Sequence, residues 1–312
     1  MIQTVARVGL LVGEELRIRK NRLSPQSGGP GRRISIVTGI HGDELEGQYV
    51  CYELQRRIGE YPDLLTGTVD IYPALNPLGI DSVTRGIPGF DLDMNRIFPG
   101  SQDGDMNEAL ASGIIAGLEG SDLCLDIHAS NIFITEIPQI RINRRHADQL
   151  LPLAMLANVD FVWVHSNATV LESTLAYSLN SRNTPTLVVE MGVGMRITKE
   201  YGDQLVDGIF RLMTELGIWR GEAPAVRTPV VSREDGEVAF LNAPRSGIWL
   251  KTLNHGVKLQ TGDELGKILD PLEGTVLCSV TAPVDGWLFT IREYPVVDQG
   301  SLLARILRGG EH

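Results

Sequence analysis

The chain has 312 residues, 43% of them hydrophobic, which is enough for one large domain or a medium-sized domain with a smaller one. Its net charge of -11 argues against a nucleic-acid partner, because binding to a phosphate backbone requires a basic face. The two short basic segments, residues 16–22 and 141–145, are typical of a solvated surface. The composition therefore indicates a globular protein that binds no nucleic acid.

The N-terminus and the cysteines indicate the compartment. The first apolar run is interrupted by Arg7 and Gly9 and ends in charged residues, so it does not resemble a secretory signal. No uncharged stretch approaches the roughly 18 residues of a membrane span, and we expect no membrane partner. Cys51, Cys124 and Cys278 are widely spaced in apolar surroundings, which favours buried free thiols in a reducing cytoplasm.

Short β-branched runs alternate with helix-like segments between about residue 34 and residue 220. The predicted strands are residues 34–38, 68–72, 123–127, 161–164 and 186–190. The predicted helices are residues 44–58, 107–117, 147–157, 173–181 and 199–216. Near-continuous apolar strands between amphipathic helices predict an α/β fold with a mixed, largely parallel sheet flanked by helices. Such folds place their sites at the carboxyl ends of the strands.

The composition changes at residues 221–235, which are rich in proline and in charged residues and are predicted to form a linker. Beyond them, turn signals every eight to twelve residues predict a small all-β module. We therefore predict an α/β hydrolytic domain at residues 1–222 and a β-rich, half-barrel-like domain at residues 223–312. Residues 24–31 are predicted to form an exposed loop.

The C-terminal module resembles the half-barrel domains that carry biotin or lipoate on a lysine at the tip of a hairpin. Here the sequence "APVDGW" offers Asp285 instead, so a carrier role is excluded by the lack of an amine. We expect the module to pack against the catalytic domain, narrow its cleft or support self-association. A homo-oligomer is compatible with the sequence.

The first candidate for chemistry is the stretch "ISIVTGIHGDELEG", in which a predicted strand runs into His41 and Glu44. The glycines permit a tight turn, and an acidic residue at the start of the next helix suits its positive end. An H-x-x-E pair is short and common. Taken alone, it favours a capped turn with a surface histidine.

A second strand, "LCLDIHASN", runs directly into His128, so His41 and His128 would emerge at the same edge of the sheet. Two imidazoles and the Glu44 carboxylate make a zinc set with a fourth position for water. Cobalt, nickel or iron would also be accepted by these ligands. Asp126 points to the same side of the strand as His128 and would orient its imidazole or pair with a buried arginine.

A third strand, "TPTLVVEMG", reaches Glu190 after three apolar residues. An ionisable group closing a buried strand is costly unless it is hydrogen-bonded structurally or placed in a cleft for use. A metal-activated water needs a carboxylate to take its proton and later to protonate the leaving amine. Glu190 is the candidate for this role.

The segment "DLDMNRIFPG" contributes Asn95 and Arg96. The planar fork of an arginine fits a carboxylate bidentately, and asparagine adds a donor and an acceptor, so the pair would bind a substrate carboxylate. Upstream, Arg85 would polarise the scissile carbonyl or stabilise the oxyanion. In isolation, an Asn-Arg pair is typical of a surface ion pair.

The four motifs "GIHGDELEG", "DLDMNRIFPG", "DIHAS" and "VVEMG", in this order, resemble the succinylglutamate desuccinylase and aspartoacylase family, relatives of the zinc carboxypeptidases. The resemblance spans about residues 34–192, with a weaker match in the β-rich tail. It implies a zinc carboxypeptidase-like fold and a single Zn²⁺ per chain. The roles it implies are zinc ligands His41, Glu44 and His128, general base and acid Glu190, substrate-carboxylate contacts Asn95 and Arg96, and, less directly, Arg85.

Other residues have two interpretations each. The family's Asp-Leu-Asn-Arg is stretched here to "DLDMNR", with Met94 in place of leucine, an apolar exchange. Arg141 is either a second carboxylate contact or a surface residue. Glu136 either orients such an arginine or faces solvent. His165 either lines the same edge or is a structural histidine, and the second alternative is favoured.

The sequence therefore predicts a zinc-dependent hydrolase that acts on a linear amide, an N-acyl amino acid deacylase. Its partner would be a small N-acylated substrate that carries a carboxylate. One alternative is a metallocarboxypeptidase acting on peptides with the same zinc set. The other is a non-catalytic metal-binding regulatory protein, in which Glu190 would be held in a salt bridge and the fourth metal position closed.

Overall fold

A computed structural model of the protein describes residues 1–25, 31–166, 172–233 and 235–309. The predicted loop at residues 24–31 lies mostly outside the described residues. The α-helices are α1 (Glu46–Glu60), α2 (Pro77–Ser82), α3 (Met106–Leu118), α4 (Ala147–Ala154), α5 (Leu175–Asn180) and α6 (Lys199–Glu215). The strands before the C-terminal region are β1 (Ile2–Gly9), β2 (Glu15–Leu23), β3 (Arg33–Thr38), β4 (Thr68–Tyr72), β5 (Leu123–Ala129), β6 (Ile134–Asn143), β7 (Phe161–His165) and β8 (Thr186–Gly192). The strands that follow are β9 (Val230–Ser232), β10 (Val238–Asn242), β11 (Gly247–Lys251), β12 (Val257–Leu259), β13 (Glu264–Asp270), β14 (Thr275–Thr281), β15 (Gly286–Arg292), β16 (Val296–Val297) and β17 (Leu302–Arg308).

The central sheet contains the order β1-β2-β4-β3-β5-β8-β6-β15-β17-β10. Strands β4, β3, β5 and β8 pair in parallel, whereas β1, β2 and β6 join this block antiparallel. The strands of the parallel block are almost wholly buried, as expected when helices cover both faces. The predicted α/β class with a mixed sheet is confirmed.

Helices cover the sheet on both sides. On one face, α1, α4 and α6 pack their apolar side chains against β3, β5, β6 and β8. On the other face, α3 and α5 pack with residues of the β1–β2 hairpin. The α3 helix starts at a capping box in which Asp105 and Glu108 satisfy each other's backbone N–H groups. These two cores hold the carboxyl ends of the parallel strands in a fixed arrangement.

The C-terminal region is all-β, as predicted. It has its own core and a second sheet in the order β14-β13-β11-β16. It is also continuous with the central sheet, because β15 pairs antiparallel with β6. The predicted linker at residues 221–235 contains a short strand, β9, which pairs with β7. The division into domains at residues 222 and 223 stays a prediction.

All five predicted strands and all five predicted helices are present, with ends displaced by a few residues. The strands β1, β2 and β6 and the helix α2 were not predicted. In β6, Pro138 lies inside the strand and the pairing with β8 shifts register, which obscures the strand pattern. None of the helices in the described part of the chain combines the length and the hydropathy needed to cross a bilayer. Cys51 and Cys124 are buried free thiols, but Cys278 is only half-buried, contrary to prediction.

Candidate active site

His41 and Glu44 lie in the turn that connects β3 to α1. The backbone N–H of Glu44 donates to the carbonyl of His41 at 3.3 Å, which turns the glutamate back toward the histidine. Helix α1 therefore begins at Glu46 rather than at Glu44. Gly42 is required here, because a Cβ would lie 2.0 Å from the backbone of Gly79. His41 is buried, so the alternative of a surface histidine is wrong.

His128 lies near the end of β5 and faces the same turn. Its Nδ1 lies 3.0 Å from Oε2 of Glu44, and Nδ1 of His41 lies 2.8 Å from Oε1 of the same carboxylate. One ligand atom from each of the three residues falls within 4.8 Å of the others. The structure therefore brings together the three residues predicted as metal ligands, all of them buried.

The electrostatics of this triad suit a cation. Burial lowers the pKa of the His128 imidazole, but Asp126 and Glu44 outweigh burial and raise it well above its ordinary value. Burial likewise lowers the pKa of His41, whereas Glu44 and Asp93 raise it above its ordinary value. His41 Nδ1 is buried and makes no hydrogen bond despite its contact with Glu44. Two buried imidazoles and a carboxylate within reach of one another, surrounded by negative charge, form a donor set that a divalent cation would neutralise, so the residues fit the predicted zinc.

Each imidazole is also contacted by a carboxylate at its other nitrogen. Asp126 Oδ1 lies 3.2 Å from Nε2 of His128, which agrees with the first of its two predicted roles. Asp93 Oδ1 lies 3.1 Å from Nε2 of His41, and this contact was not predicted. Carboxylates at this position fix the orientation of ligand imidazoles. The signal was present in the sequence, because Asp93 is part of the "DLDMNR" motif.

Glu190 lies beside the triad because of strand register. In the parallel pair β5–β8, His128 is aligned with Glu190. The Glu190 side chain is 16% exposed, and its Oε1 lies 3.2 Å from Nη1 of Arg141. Burial raises the pKa of Glu190 above its ordinary value, and the charge of Arg141 only partly opposes this. A salt bridge at Glu190 is what the non-catalytic metal-binding alternative predicts. The Glu190 carboxylate nevertheless lines the cavity that is described below.

Arg141 is not a solvated surface arginine. Besides Glu190, it contacts Glu136, a fully buried carboxylate. Nη2 of Arg141 donates to Oε2 of Glu136 at 2.8 Å. Glu136 therefore contacts the arginine as in the first of its predicted interpretations, and the solvent-facing alternative is wrong. Glu136 also contacts Arg305 of β17 and Thr290 of β15, which donates to Oε1 at 3.0 Å. Sequence reasoning missed both, because they are more than 150 positions away.

The remaining predicted residues surround the triad. Nη1 of Arg85 donates to Oε1 of Glu44 at 2.8 Å, so Arg85 contacts the same oxygen of Glu44 as His41 does. Asn95 and Arg96 lie in a short 3₁₀ turn, and Asn95 Oδ1 accepts the backbone N–H of Leu175 at 2.9 Å. Arg96 donates from Nη1 to the carbonyl of Asn95 at 2.8 Å.

A cavity of about 520 Å³ connects these groups. Its walls include every residue of the predicted site. They also include His165, which was favoured as a structural histidine, and Arg305 from the C-terminal region. The cavity is lined among others by His41, Glu44, Arg85, Asn95, Arg96, His128, Asn131, Arg141, Asn143, His146, His165, Tyr177, Glu190 and Arg305.

The sequence was compared with known protein families. Residues 30–216 match the model described as the succinylglutamate desuccinylase/aspartoacylase catalytic domain. The chain belongs to this family. The family resemblance seen in the four motifs is thereby confirmed.

Individual relatives are more distant. A segment of 111 residues is 32% identical to the N-alpha-acetyl-L-2,4-diaminobutyric acid deacetylase of Halomonas elongata, covering 35% of this chain and 32% of that protein. The match thus spans about a third of the relative. A succinylglutamate desuccinylase/aspartoacylase from Rhodobacter sphaeroides has a TM-score of 0.81 at 24% identity, over 98% of this chain and 95% of that one. The product-bound ectoine utilization protein EutE (DoeB) of Ruegeria pomeroyi has a TM-score of 0.81 at 18% identity, over 99% and 94%. The two structures share the fold.

Proposed function

We propose that this protein is a zinc-dependent amidohydrolase that removes an acyl group from the amino nitrogen of an amino acid or related small metabolite. The name of the family and the name of the Halomonas elongata relative both describe the removal of acyl groups, which supports deacylase activity. The three free cysteines support the expectation of a reducing compartment such as the cytoplasm.

The observation that carries the proposal is the alignment of Glu190 with His128 across β5 and β8. It places a carboxylate of raised pKa beside the cluster of His41, Glu44 and His128, in a cavity of small-molecule size. A general base next to a set of metal-ligating side chains is the arrangement that metal-assisted hydrolysis of an amide requires. A site for metal storage alone has no need of such a base.

His41, Glu44 and His128 would hold the zinc ion, which when bound polarises the amide carbonyl and lowers the pKa of water. Glu190 takes a proton from the attacking water and transfers it to the nitrogen of the departing amine. Arg85 stabilises the charge that develops on the carbonyl oxygen. Its guanidinium is held by Glu44 through Nη1 and lies 3.6 Å from Asp93 through Nη2, so it exchanges part of these contacts for the developing charge when it turns toward that oxygen.

Asn95 and Arg96 bind a carboxylate of the substrate. Both line the cavity, and the guanidinium of Arg96 is held in place by the carbonyl of Asn95. An arginine fork and an asparagine amide together provide directional donors for one carboxylate. Arg141 is a candidate for a second carboxylate contact, although it is already engaged by Glu136 and Glu190.

The experiment is to measure amine release from a panel of N-acetyl, N-succinyl and N-formyl amino acids. Zinc-loaded protein is compared with chelator-treated protein and with Glu190→Gln, and the matched control is Glu200→Gln, an exposed residue in the first turn of α6. We expect release that is abolished by the chelator. In Glu190→Gln, kcat should fall by about 10²- to 10⁴-fold, the usual size of a general acid-base contribution, with zinc still bound.

Two alternatives are separated by the same experiment. A metallocarboxypeptidase would release C-terminal residues from peptides but no amine from the panel. The participation of Arg305 in the cavity wall disfavours it, because the C-terminal region narrows the space. A non-catalytic metal-binding protein, which the Arg141–Glu190 salt bridge favours, would bind zinc stoichiometrically and hydrolyse neither class of substrate.

A further inference from the structure

Glu136 is a buried carboxylate shared between arginines from two parts of the chain. Its side chain is 0% exposed, and it contacts Arg141 on its own strand and Arg305 on β17. Burial raises the pKa of Glu136, but the charges of Arg141 and Arg305 outweigh it and hold the pKa below its ordinary value. The carboxylate is therefore ionised, and its orientation is fixed by the two guanidinium groups.

The two oxygens of Glu136 differ in their partners, although Nη2 of Arg141 reaches both of them. Oε1 is contacted by Arg305, by the hydroxyl of Thr290 and, at 3.1 Å, by Nη2 of Arg141, while Oε2 accepts from the same Nη2 at 2.8 Å. Arg141 thus uses Nη2 mainly for Glu136, and its Nη1 lies 3.2 Å from Oε1 of Glu190. The arginine bridges one structural and one candidate catalytic carboxylate.

Arg305 limits Arg141 to a single nitrogen on Glu136. An arginine facing a single free carboxylate prefers a bidentate fork, with two nitrogens on two oxygens. Because Arg305 and Thr290 already occupy Oε1 of Glu136, Arg141 contacts both oxygens through Nη2 alone, and its Nη1 is left for Glu190. Both guanidinium groups also lie over the ring of Trp163, at 5.9 Å for Arg141 and 6.0 Å for Arg305, so both pack against the same aromatic side chain.

We propose that Arg305 is a positioning residue of the active site: by occupying Glu136, it holds Arg141 against Glu190. The proposal rests on the proposed function, in which Glu190 is the general base. It assigns to the C-terminal region a part in the reaction besides narrowing the cavity. Because Arg305 acts through two other side chains, its loss should change turnover more than substrate binding.

The first test is a crystal structure of the zinc-loaded Arg305→Met variant. We expect Arg141 to turn both terminal nitrogens toward Glu136, so that its distance from Glu190 exceeds about 4 Å, the limit of an ion pair. Arg308→Met, which removes an exposed arginine from the same strand, is the matched control and should leave Arg141 in place. If Arg141 stays within ion-pair distance of Glu190 in Arg305→Met, the proposal is wrong.

The second test is steady-state kinetics on the substrate that the panel identifies. In Arg305→Met we expect kcat to fall by about 10- to 100-fold, the effect of a misplaced catalytic group, with KM within about threefold of wild type. A rise in KM at unchanged kcat would instead mean that Arg305 binds substrate directly, which contradicts the proposal. An unchanged kcat and KM would mean that Arg305 is only structural, which contradicts it too.

Removal of one charged partner of the buried Glu136 carboxylate destabilises the fold, and Arg305→Met could therefore fail to fold. Arg305→Gln is the second variant for this reason. It keeps a donor of similar length and removes the charge, and the same displacement of Arg141 and the same loss of kcat are expected. If wild-type protein hydrolyses no substrate, the proposed function fails by itself. The crystal structures still decide whether Arg305 holds Arg141 against Glu190.

Discussion

Nε2 of His41 lies 3.1 Å from Oδ1 of Asp93, and this contact directs Nδ1 of the same imidazole toward Glu44. Asp93 is itself held by the turn that carries Asn95, whose backbone N–H donates to the same oxygen at 2.8 Å. Although burial raises the pKa of Asp93, His41 and Arg85 lower it to about 2. The Asp93 carboxylate therefore connects the candidate metal ligand His41 to the turn with Asn95, which binds the substrate carboxylate in the proposed function.

The first prediction concerns Asp93→Asn. Loss of the carboxylate removes the negative charge that orients His41 and makes it a better donor, so zinc affinity should fall by about 10- to 100-fold. Competition with a chromophoric chelator measures this affinity. Asp91→Asn, an exposed carboxylate two residues away, is the control and should bind zinc as wild type does. Equal affinities in both variants would contradict a role for Asp93 in orienting His41.

The second prediction concerns Arg96. If it binds the substrate carboxylate, Arg96→Met should raise KM by about 10- to 100-fold, because a charged hydrogen bond contributes about 1.5–3 kcal/mol. Each substrate is paired with its carboxamide, which lacks the charge. Wild type should prefer the acid and the variant should not. A preference that survives in Arg96→Met would place the carboxylate elsewhere.

The third prediction concerns pH. Glu190 must be ionised to accept a proton, and its raised pKa sets an acid limb on kcat/KM. Arg141 lowers that pKa, so Arg141→Met should raise it and move the limb to higher pH. The zinc-loaded enzymes are compared across pH about 4 to 9, which extends upward from the ordinary pKa of a glutamate. A limb that moves to lower pH, or does not move, would show that Arg141 does not act on the base.

The site was predictable where local sequence and strand register coincide. Glu190 follows three apolar residues, and His128 ends a largely apolar run on the neighbouring strand, so both pointed to one sheet edge before any coordinates. The family motifs then assigned their roles. The environment of Glu190 could not be predicted in this way, because Arg305 is 115 positions away and reaches Glu136 only through the pairing of β15 with β6.

The missed strands have related causes. In β6, an internal proline and a change of register break the two-residue alternation on which strand prediction depends. In β2, Lys20 and Arg22 occupy strand positions, and their charges suggested a solvated segment. The structure shows that these charges meet a buried acid, which a pattern of hydrophobicity cannot reveal.

That acid, Asp70, gives the last prediction. Its side chain is 0% exposed and contacts Lys20 at 2.8 Å and Arg22 at 2.6 Å, which anchors the N-terminal hairpin to β4. Burial raises the pKa of Asp70, but Arg22 and Lys20 outweigh it and lower the pKa below its ordinary value. A depressed pKa contributes stability above the unfolded value of about 4, and this contribution is lost as pH falls through the folded value.

Asp70→Asn should therefore reduce the free energy of unfolding at pH 7 by about 3–5 kcal/mol, because it leaves Lys20 without its buried counter-charge. Urea denaturation of metal-free protein measures the difference, with the exposed Asp81→Asn as control. The difference between wild type and Asp70→Asn should shrink below pH 4, since protonation of Asp70 removes the same charge from the wild type. A difference independent of pH would mean that shape, not charge, holds the hairpin in place.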